Sequence, residues 1–135
     1  MKIKHMICLL TLGAMLIGCT AVPQATGEPS AAYRKITAEQ AKAKMDETDG
    51  WILLDVRTAA EFEEAHIAGA MLIPDDEITA RVAEEIPDQD AMIFIYCRSG
   101  RRSASAAQAM ADMGYTNVHD FGGIIDWPYE VVRRQ

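Results

Sequence analysis

Cysteine is scarce in this chain, with three among 135 residues, and two of these, Cys8 and Cys19, fall within the first nineteen. So few thiols exclude the disulfide framework that supports many small secreted domains, and they single out Cys97 in the body of the chain. Positive charge is short as well: 13 Lys+Arg stand against 20 Asp+Glu, a formal net charge of −7. Such a surface repels nucleic acid and anionic lipid headgroups, so any anion site must be made locally. The longest apolar run, residues 6–17, has about a dozen residues, well short of the ~20 that a membrane-spanning helix requires. There is no internal repeat and no low-complexity segment, and the length suits one domain with a single core rather than two. With 50% hydrophobic and 24% charged residues, the balance is that of a globular chain and not of a disordered one.

The first residues form a separate object. Lys2, Lys4 and His5 make a short basic region ahead of the apolar run, which has the length of a signal-peptide core. The run closes in Leu16-Ile17-Gly18-Cys19, which resembles the lipobox of bacterial lipoproteins, where processing before the cysteine leaves it lipidated as the new N-terminus. The expected organisation is a lipoprotein signal peptide over residues 1–18, a flexible tether over 19–32 that begins at a lipidated Cys19, and a folded domain over 33–135. The tether is small and polar and carries Pro23, Gly27 and Pro29. A secretory peptide cut later, or an uncleaved anchor, would carry the domain across the membrane equally well. The expected address is the bacterial cell envelope, with the domain facing the periplasm or the cell exterior and touching the membrane through its lipid alone. Thr20 after Cys19, rather than Asp, leans toward the outer membrane where the organism has one. Removal of Lys2 and Lys4 deepens the net charge to −9. Cys97 is then the one free thiol, and a lone thiol in a compartment that oxidises thiols is a liability unless it is used.

From residue 33 onward strand-like and helix-like segments alternate. Residues 33–36 read as a short strand, and Thr37-Ala38-Glu39-Gln40 is a capping box that opens a helix reaching about Glu47. Asp49-Gly50 turns the chain into residues 51–56 (WILLDV), a continuous apolar run of the kind buried on both faces of a parallel sheet. A second capping box, Thr58 to Glu61, opens a short helix ending near Glu64, and residues 66–70 lead into a third strand over 71–74. Residues 75–85 are predicted helical with Ile78 and Val82 on one face, and residues 91–97 are the longest apolar strand. A helix over 103–113 closes with Gly114 in the C′ position, and a last strand over 115–121 precedes a short helix after Gly122-Gly123. The alternation predicts an α/β domain with a small central parallel sheet covered by helices on both faces.

Ligand sites in such sheets lie outside the carboxyl ends of the strands, where Cys97 stands. Arg98, Arg101 and Arg102 follow within five residues, and a helix begins just beyond. Unpaired N–H groups at that helix start, its dipole and the nearby guanidiniums all favour a thiolate, which is the nucleophilic form. Gly100 permits a tight loop conformation closed to other residues. A merely structural cysteine would behave as a small hydrophobe and would have no use for three arginines.

Leu54-Asp55-Val56-Arg57, Glu61-Phe62, His66-Ile67-Ala68-Gly69-Ala70, Tyr96-Cys97-Arg98-Ser99-Gly100-Arg101-Arg102-Ser103 and Gly122-Gly123-Ile124 followed by Trp127 resemble, in order, the landmarks of the single-domain rhodanese family. The resemblance implies a rhodanese-like three-layer α/β sandwich and a cysteine that carries sulfane sulfur as a persulfide. Carried onto this chain, Cys97 is the nucleophile, and Arg98, Ser99, Gly100, Arg101, Arg102 and Ser103 form the loop that binds substrate anions. The donor would be thiosulfate or a similar small molecule, and the acceptor cyanide, a thiol or a partner protein's thiol; no metal and no organic cofactor would be needed. Of the arginines, Arg102 is expected to address the loop anion and Arg98 to face outward. Asp55 and Arg57 are expected to pair and support the loop rather than react. His66 is expected to make a structural hydrogen bond, His119 to stand apart, and Trp127 to pack.

Two other functions compete. The cell-cycle dual-specificity phosphatases share the fold but use C-x5-R, whereas Cys97 to Arg102 is C-x4-R and Ser103 holds the later position. From a different class comes an envelope-tethered persulfide carrier or protein-binding module with little turnover of its own; inactive relatives typically lack the cysteine that this chain keeps.

Overall fold

The computed structural model describes residues 32–135. The expectations for the signal segment, for Cys19 and for the tether up to residue 31 lie outside the described residues.

The first elements form where local hydrogen bonding dictates. Strand β1 (Arg34–Lys35) leads into helix α1 (Ala38–Glu47), whose start is the expected capping box. Gln40 N–H donates to Thr37 Oγ1 at 3.1 Å, and Thr37 N–H to Gln40 Oε1 at 2.9 Å, so two of the helix's orphan donors are satisfied. The Thr48 hydroxyl donates back to the Lys44 carbonyl at 2.6 Å, and Gly50, at φ +75°, turns the chain into β2 (Ile52–Asp55). The second box, Thr58 with Glu61, opens α2 (Ala59–Glu64) in the same way. Then follow β3 (Ala65–His66), β4 (Ala70–Leu72), α3 (Ile78–Glu85), β5 (Ile93–Cys97), α4 (Arg101–Asp112), β6 (Val118–Gly123) and β7 (Val132–Arg133).

Five strands form one parallel sheet in the order β1-β6-β5-β2-β4. β5 is central, and all five of its residues are buried. The two-residue period of the strands splits the core into two layers. Leu53, Phe94, Tyr96 and Phe121 face α1 through Ala38, Ala41 and Met45, with Trp127 closing that side. Leu54, Ile93, Ile95 and Cys97 face α3 and α4 through Ile78, Val82, Ala107 and Met110. Each fully buried side chain of this size contributes about 1.5–3 kcal/mol. Helices therefore cover both faces of a parallel sheet, as expected.

Several boundaries shift. The stretch 75–85 begins as a 3-10 turn over Asp75–Glu77 after Pro74 and becomes α-helical only at Ile78. α4 starts at Arg101, two residues early, which draws the cysteine loop tight; Gly114, at φ +102°, follows its C-cap Met113 as expected. The last parallel strand lies later than expected, over Val118–Gly123. An antiparallel ribbon of β3 with β7 was not foreseen, because two-residue strands carry no period to read.

Candidate active site

Three elements converge on Cys97. β5 delivers it to the carboxyl edge of the sheet, α4 starts four residues later, and its register partner on β6 is Gly123. Gly100, at φ +102°, bends the loop so that its N–H lies 3.0 Å from Cys97 Sγ. It is also the N-cap of α4 and has no side chain with which to satisfy the helix's first donors. The two capped helices tie up their N–H groups internally, whereas α4 leaves them to the sulfur and whatever it carries.

Cys97 is 1% exposed, and burial pushes its thiol up. Hydrogen bonds from the Ser103 hydroxyl and from the backbone N–H groups of Ser103, Gly100 and Ser99 outweigh burial, so the net shift is downward. Donors arranged in this way favour the thiolate over the thiol, the arrangement suited to a sulfur nucleophile.

The cradle leans on β6. Asp120 Oδ1 accepts the Gly122 N–H at 3.0 Å and sets a turn at φ +90°. Arg98 and Ser99 then pass so close to Gly123 that a Cβ there would lie 2.6 Å from both the Arg98 carbonyl carbon and Ser99 Cα, and closer still to the Arg98 oxygen. Gly122-Gly123 thus divides into a turn at the first residue and a close approach at the second. Ser103 Oγ lies 3.2 Å from the Gly100 carbonyl and 3.3 Å from that of Gly122, which joins loop, helix and strand.

The arginines do not act alike. Arg102 is half-buried and grips Glu61 through two parallel bonds, Nη1 to Oε2 at 2.9 Å and Nη2 to Oε1 at 2.8 Å. Hydrogen bonding from Arg102, with help from Thr58, holds the Glu61 carboxyl at about 2 against the opposing effect of burial. The expectation that Arg102 simply addresses a loop anion therefore needs amending, because one face of its fork is already taken by a carboxylate. Arg98 and Arg101 are exposed. Glu61 was legible as a helix cap; that it reaches a loop 41 residues away was not.

Asp55 and Arg57 pair as expected, fully inside the protein. Arg57 Nη2 lies 2.6 Å from Asp55 Oδ2 and 2.7 Å from the Ala65 carbonyl, and its guanidinium sits 5.6 Å from the centre of the Tyr96 ring. The pair ties the end of β2 to β3. His66 Nδ1 meets the Phe62 carbonyl at 2.8 Å with its ring stacked on Phe62 at 3.9 Å, a structural role. His119 stacks on Phe94 within the α1 layer, and Trp127 packs on Phe121 with ring centres 5.3 Å apart. Among the described residues, no three His, Cys, Asp or Glu side chains gather in a way that could hold a metal ion.

Known proteins resemble this chain in sequence and fold. The chain is 38% identical over 76 residues to the thiosulfate sulfurtransferase PspE of Escherichia coli (strain K12), covering 56% of this chain and 71% of that protein. It is 36% identical over 94 residues to a sulfurtransferase of Allochromatium vinosum, covering 69% and 86%. A solved structure described as a rhodanese with anions from E. coli superposes with a TM-score of 0.57 at 34% identity, over 61% of this chain and 96% of that one. These relatives support sulfur transfer in general as the chemistry of the cradle. The model of the rhodanese-like domain matches residues 37–128, from the cap of α1 to just past Trp127 and so across every strand of the parallel sheet but its first edge, and the chain belongs to that family.

Proposed function

We propose that the protein is a sulfurtransferase in which Cys97 carries sulfane sulfur as a persulfide, from thiosulfate or a similar donor to cyanide or a thiol. The observation that carries this reading is the Cys97 sulfur itself, buried at the base of a loop whose Gly100 N–H meets it at 3.0 Å and whose donors favour its anionic form. The Cys97 thiolate attacks the outer sulfur of thiosulfate, and the sulfur–sulfur bond of the donor breaks with its electron pair leaving on sulfite. An acceptor nucleophile then attacks the outer sulfur of the persulfide, and the pair of the breaking bond returns to Cys97. The negative charge moves between Sγ and the sulfur beyond it, and the loop donors that favour the Cys97 thiolate are the groups proposed to stabilise it. The C-x4-R spacing makes a shorter loop than the C-x5-R of the phosphatases, which favours the smaller sulfur centre over phosphate. The experiment is steady-state turnover of thiosulfate and cyanide by the soluble domain, expected to give parallel double-reciprocal lines, with aryl phosphate hydrolysis measured beside it. Phosphate release faster than sulfur transfer would overturn the reading.

Arg102 acts here partly by neutralising Glu61. Arg102→Ala removes a charge-assisted bond and leaves an unpaired carboxylate beside the loop mouth, so kcat/KM for thiosulfate should fall about tenfold or more. Adding Glu61→Gln should recover part of that loss, because the repelling charge is gone. A double variant no better than Arg102→Ala alone would mean that Arg102 touches the donor directly.

The domain is proposed to work in the bacterial envelope, tethered by a lipid on Cys19, on the strength of Leu16-Ile17-Gly18-Cys19 at the end of a short apolar run. Cys19→Ala should shift the protein from the membrane fraction to precursor or soluble forms. A mature wild-type protein that is soluble and starts beyond residue 19 would refute the anchor.

A further inference from the structure

Beside the loop lies a cleft of about 540 Å³, floored by Ile125, Trp127 and Tyr129 and bordered by Arg98, Arg133 and Glu64. It meets the loop at two points. Arg98 is the loop's second residue, and Glu61, which also lines the cleft, is gripped by Arg102 at the loop's end. The outer wall is the C-terminal segment, which the unforeseen ribbon brings into place: Ala65 pairs with Arg133, and Arg134 N–H donates to the Glu64 carbonyl at 3.2 Å.

The charges on the cleft are unevenly committed. Arg57 is neutralised by Asp55, and Glu61 by Arg102. Among the described residues, the side chains of Arg98, Arg133 and Glu64 have no ion-pair partner. Two uncommitted guanidiniums on one cleft are unusual in a chain of net charge −7, and they stand over an apolar floor that is itself open, Ile125 being 63% and Tyr129 40% exposed. Carboxylates suit guanidinium forks, and the open floor suits a peptide-sized body.

We propose that this cleft binds the sulfur acceptor, a peptide-sized thiol bearing two carboxylates, which Arg98 and Arg133 receive while Glu64 meets an ammonium; the inference rests on the sulfur-transfer reading. The bound thiolate attacks the outer sulfur of the Cys97 persulfide and forms a new sulfur–sulfur bond. The bond to Sγ breaks, Cys97 leaves as thiolate with the electron pair, and the acceptor departs as a persulfide anion, so that no proton is gained or lost. No oxidant or reductant enters. The site would give the enzyme a preference among acceptors without altering the first half-reaction.

Glutathione serves as the probe and 2-mercaptoethanol, which has no charge, as its reference. Arg133→Ala should lower the ratio of kcat/KM for glutathione to that for 2-mercaptoethanol about threefold to fivefold, the usual worth of an exposed ion pair, and Arg133→Glu should lower it further. In the wild type the same ratio should fall as ionic strength rises, which tests the charges even if a variant folds poorly. Equilibrium binding of S-methylglutathione, which keeps both carboxylates but cannot accept sulfur, should weaken in Arg133→Ala by a similar factor. Intact cyanide turnover with an unmoved ratio and no salt dependence would overturn the cleft assignment. Binding of S-methylglutathione without any cyanide turnover would instead strike the sulfur-transfer reading, and with it the acceptor role.

Discussion

Cys97→Ser is expected to lower thiosulfate–cyanide turnover to background, a loss of at least about a thousandfold, as when a covalent nucleophile is removed. The serine hydroxyl is close to the thiol in shape and finds the Gly100 N–H as a partner at a site only 1% exposed, so the fold should persist and the loss should be chemical. A hydroxyl is not ionised at neutral pH and does not form a carrier bond to sulfur. Intact mass reads the carrier directly. After thiosulfate, the soluble domain with Cys19 replaced should include a population heavier by one sulfur, stable to desalting and removed by cyanide or excess reductant. Cys97 is the free cysteine of the described residues, so no neighbouring thiol there can resolve the persulfide and an external acceptor must do so. In the unmodified protein, the rate of thiol alkylation should level off with pH below the ordinary value of 9.0, because the loop donors favour the thiolate. An adduct on the serine variant, or sulfur lost quickly with no acceptor present, would sink the assignment.

Gly123→Ala should be nearly as damaging, by a different route. Gly123 has an extended backbone, φ −120°, which any residue adopts, so conformational freedom is not what it supplies. It supplies space. The added methyl would meet the backbone of Arg98 and Ser99 at 2.6 Å or less, and backbone cannot swing away as a long side chain can. Either β6 or the loop must move, and Cys97, paired with Gly123 across the sheet, moves with it. Overpacking of this sort costs about 1–3 kcal/mol, and a displacement of about 1 Å in a catalytic group can cost a hundredfold in rate. The control is Gly50→Ala, where nothing lies within 4 Å and φ is +75°: about 1 kcal/mol of stability should be lost to the left-handed backbone, with kcat and KM near wild type. Urea unfolding and thiosulfate kinetics on the two variants separate the cases. Wild-type kcat and KM in Gly123→Ala would show that the loop does not depend on the space above that residue.

Much was legible because it is local. Both capping boxes depend on residues three apart, and both formed. In the apolar run ending at Cys97, the five residues that form β5 are all buried, since a strand between two others has nowhere to expose a side chain. Gly114 lies where a helix needs a left-handed residue. The pairing of Asp55 with Arg57 spans two positions on one strand end, and the neighbourhood alone suffices to make it.

What escaped the sequence depends on chain crossings whose geometry only packing settles. Glu61 reads as a cap, because its bond to Thr58 is three residues away; its grip on Arg102 requires β2 and β5 to lie side by side so that α2 and the cysteine loop meet above them. In the sequence the glycines at 122 and 123 are a pair ahead of a short helix, and only the close passage of Arg98 and Ser99 separates their roles. β3 and β7 are too short for any periodic signal, and they pair because the chain after Trp127 returns along α2, carrying Arg133 to the cleft. The sequence by itself therefore determined the elements and the place of the thiol, through bonds and periods that act within a few residues. Tertiary structure decided which charges remain free beside that thiol, because proximity in space pairs Glu61 with Arg102 and brings Arg133 to the cleft without an ion-pair partner among the described residues.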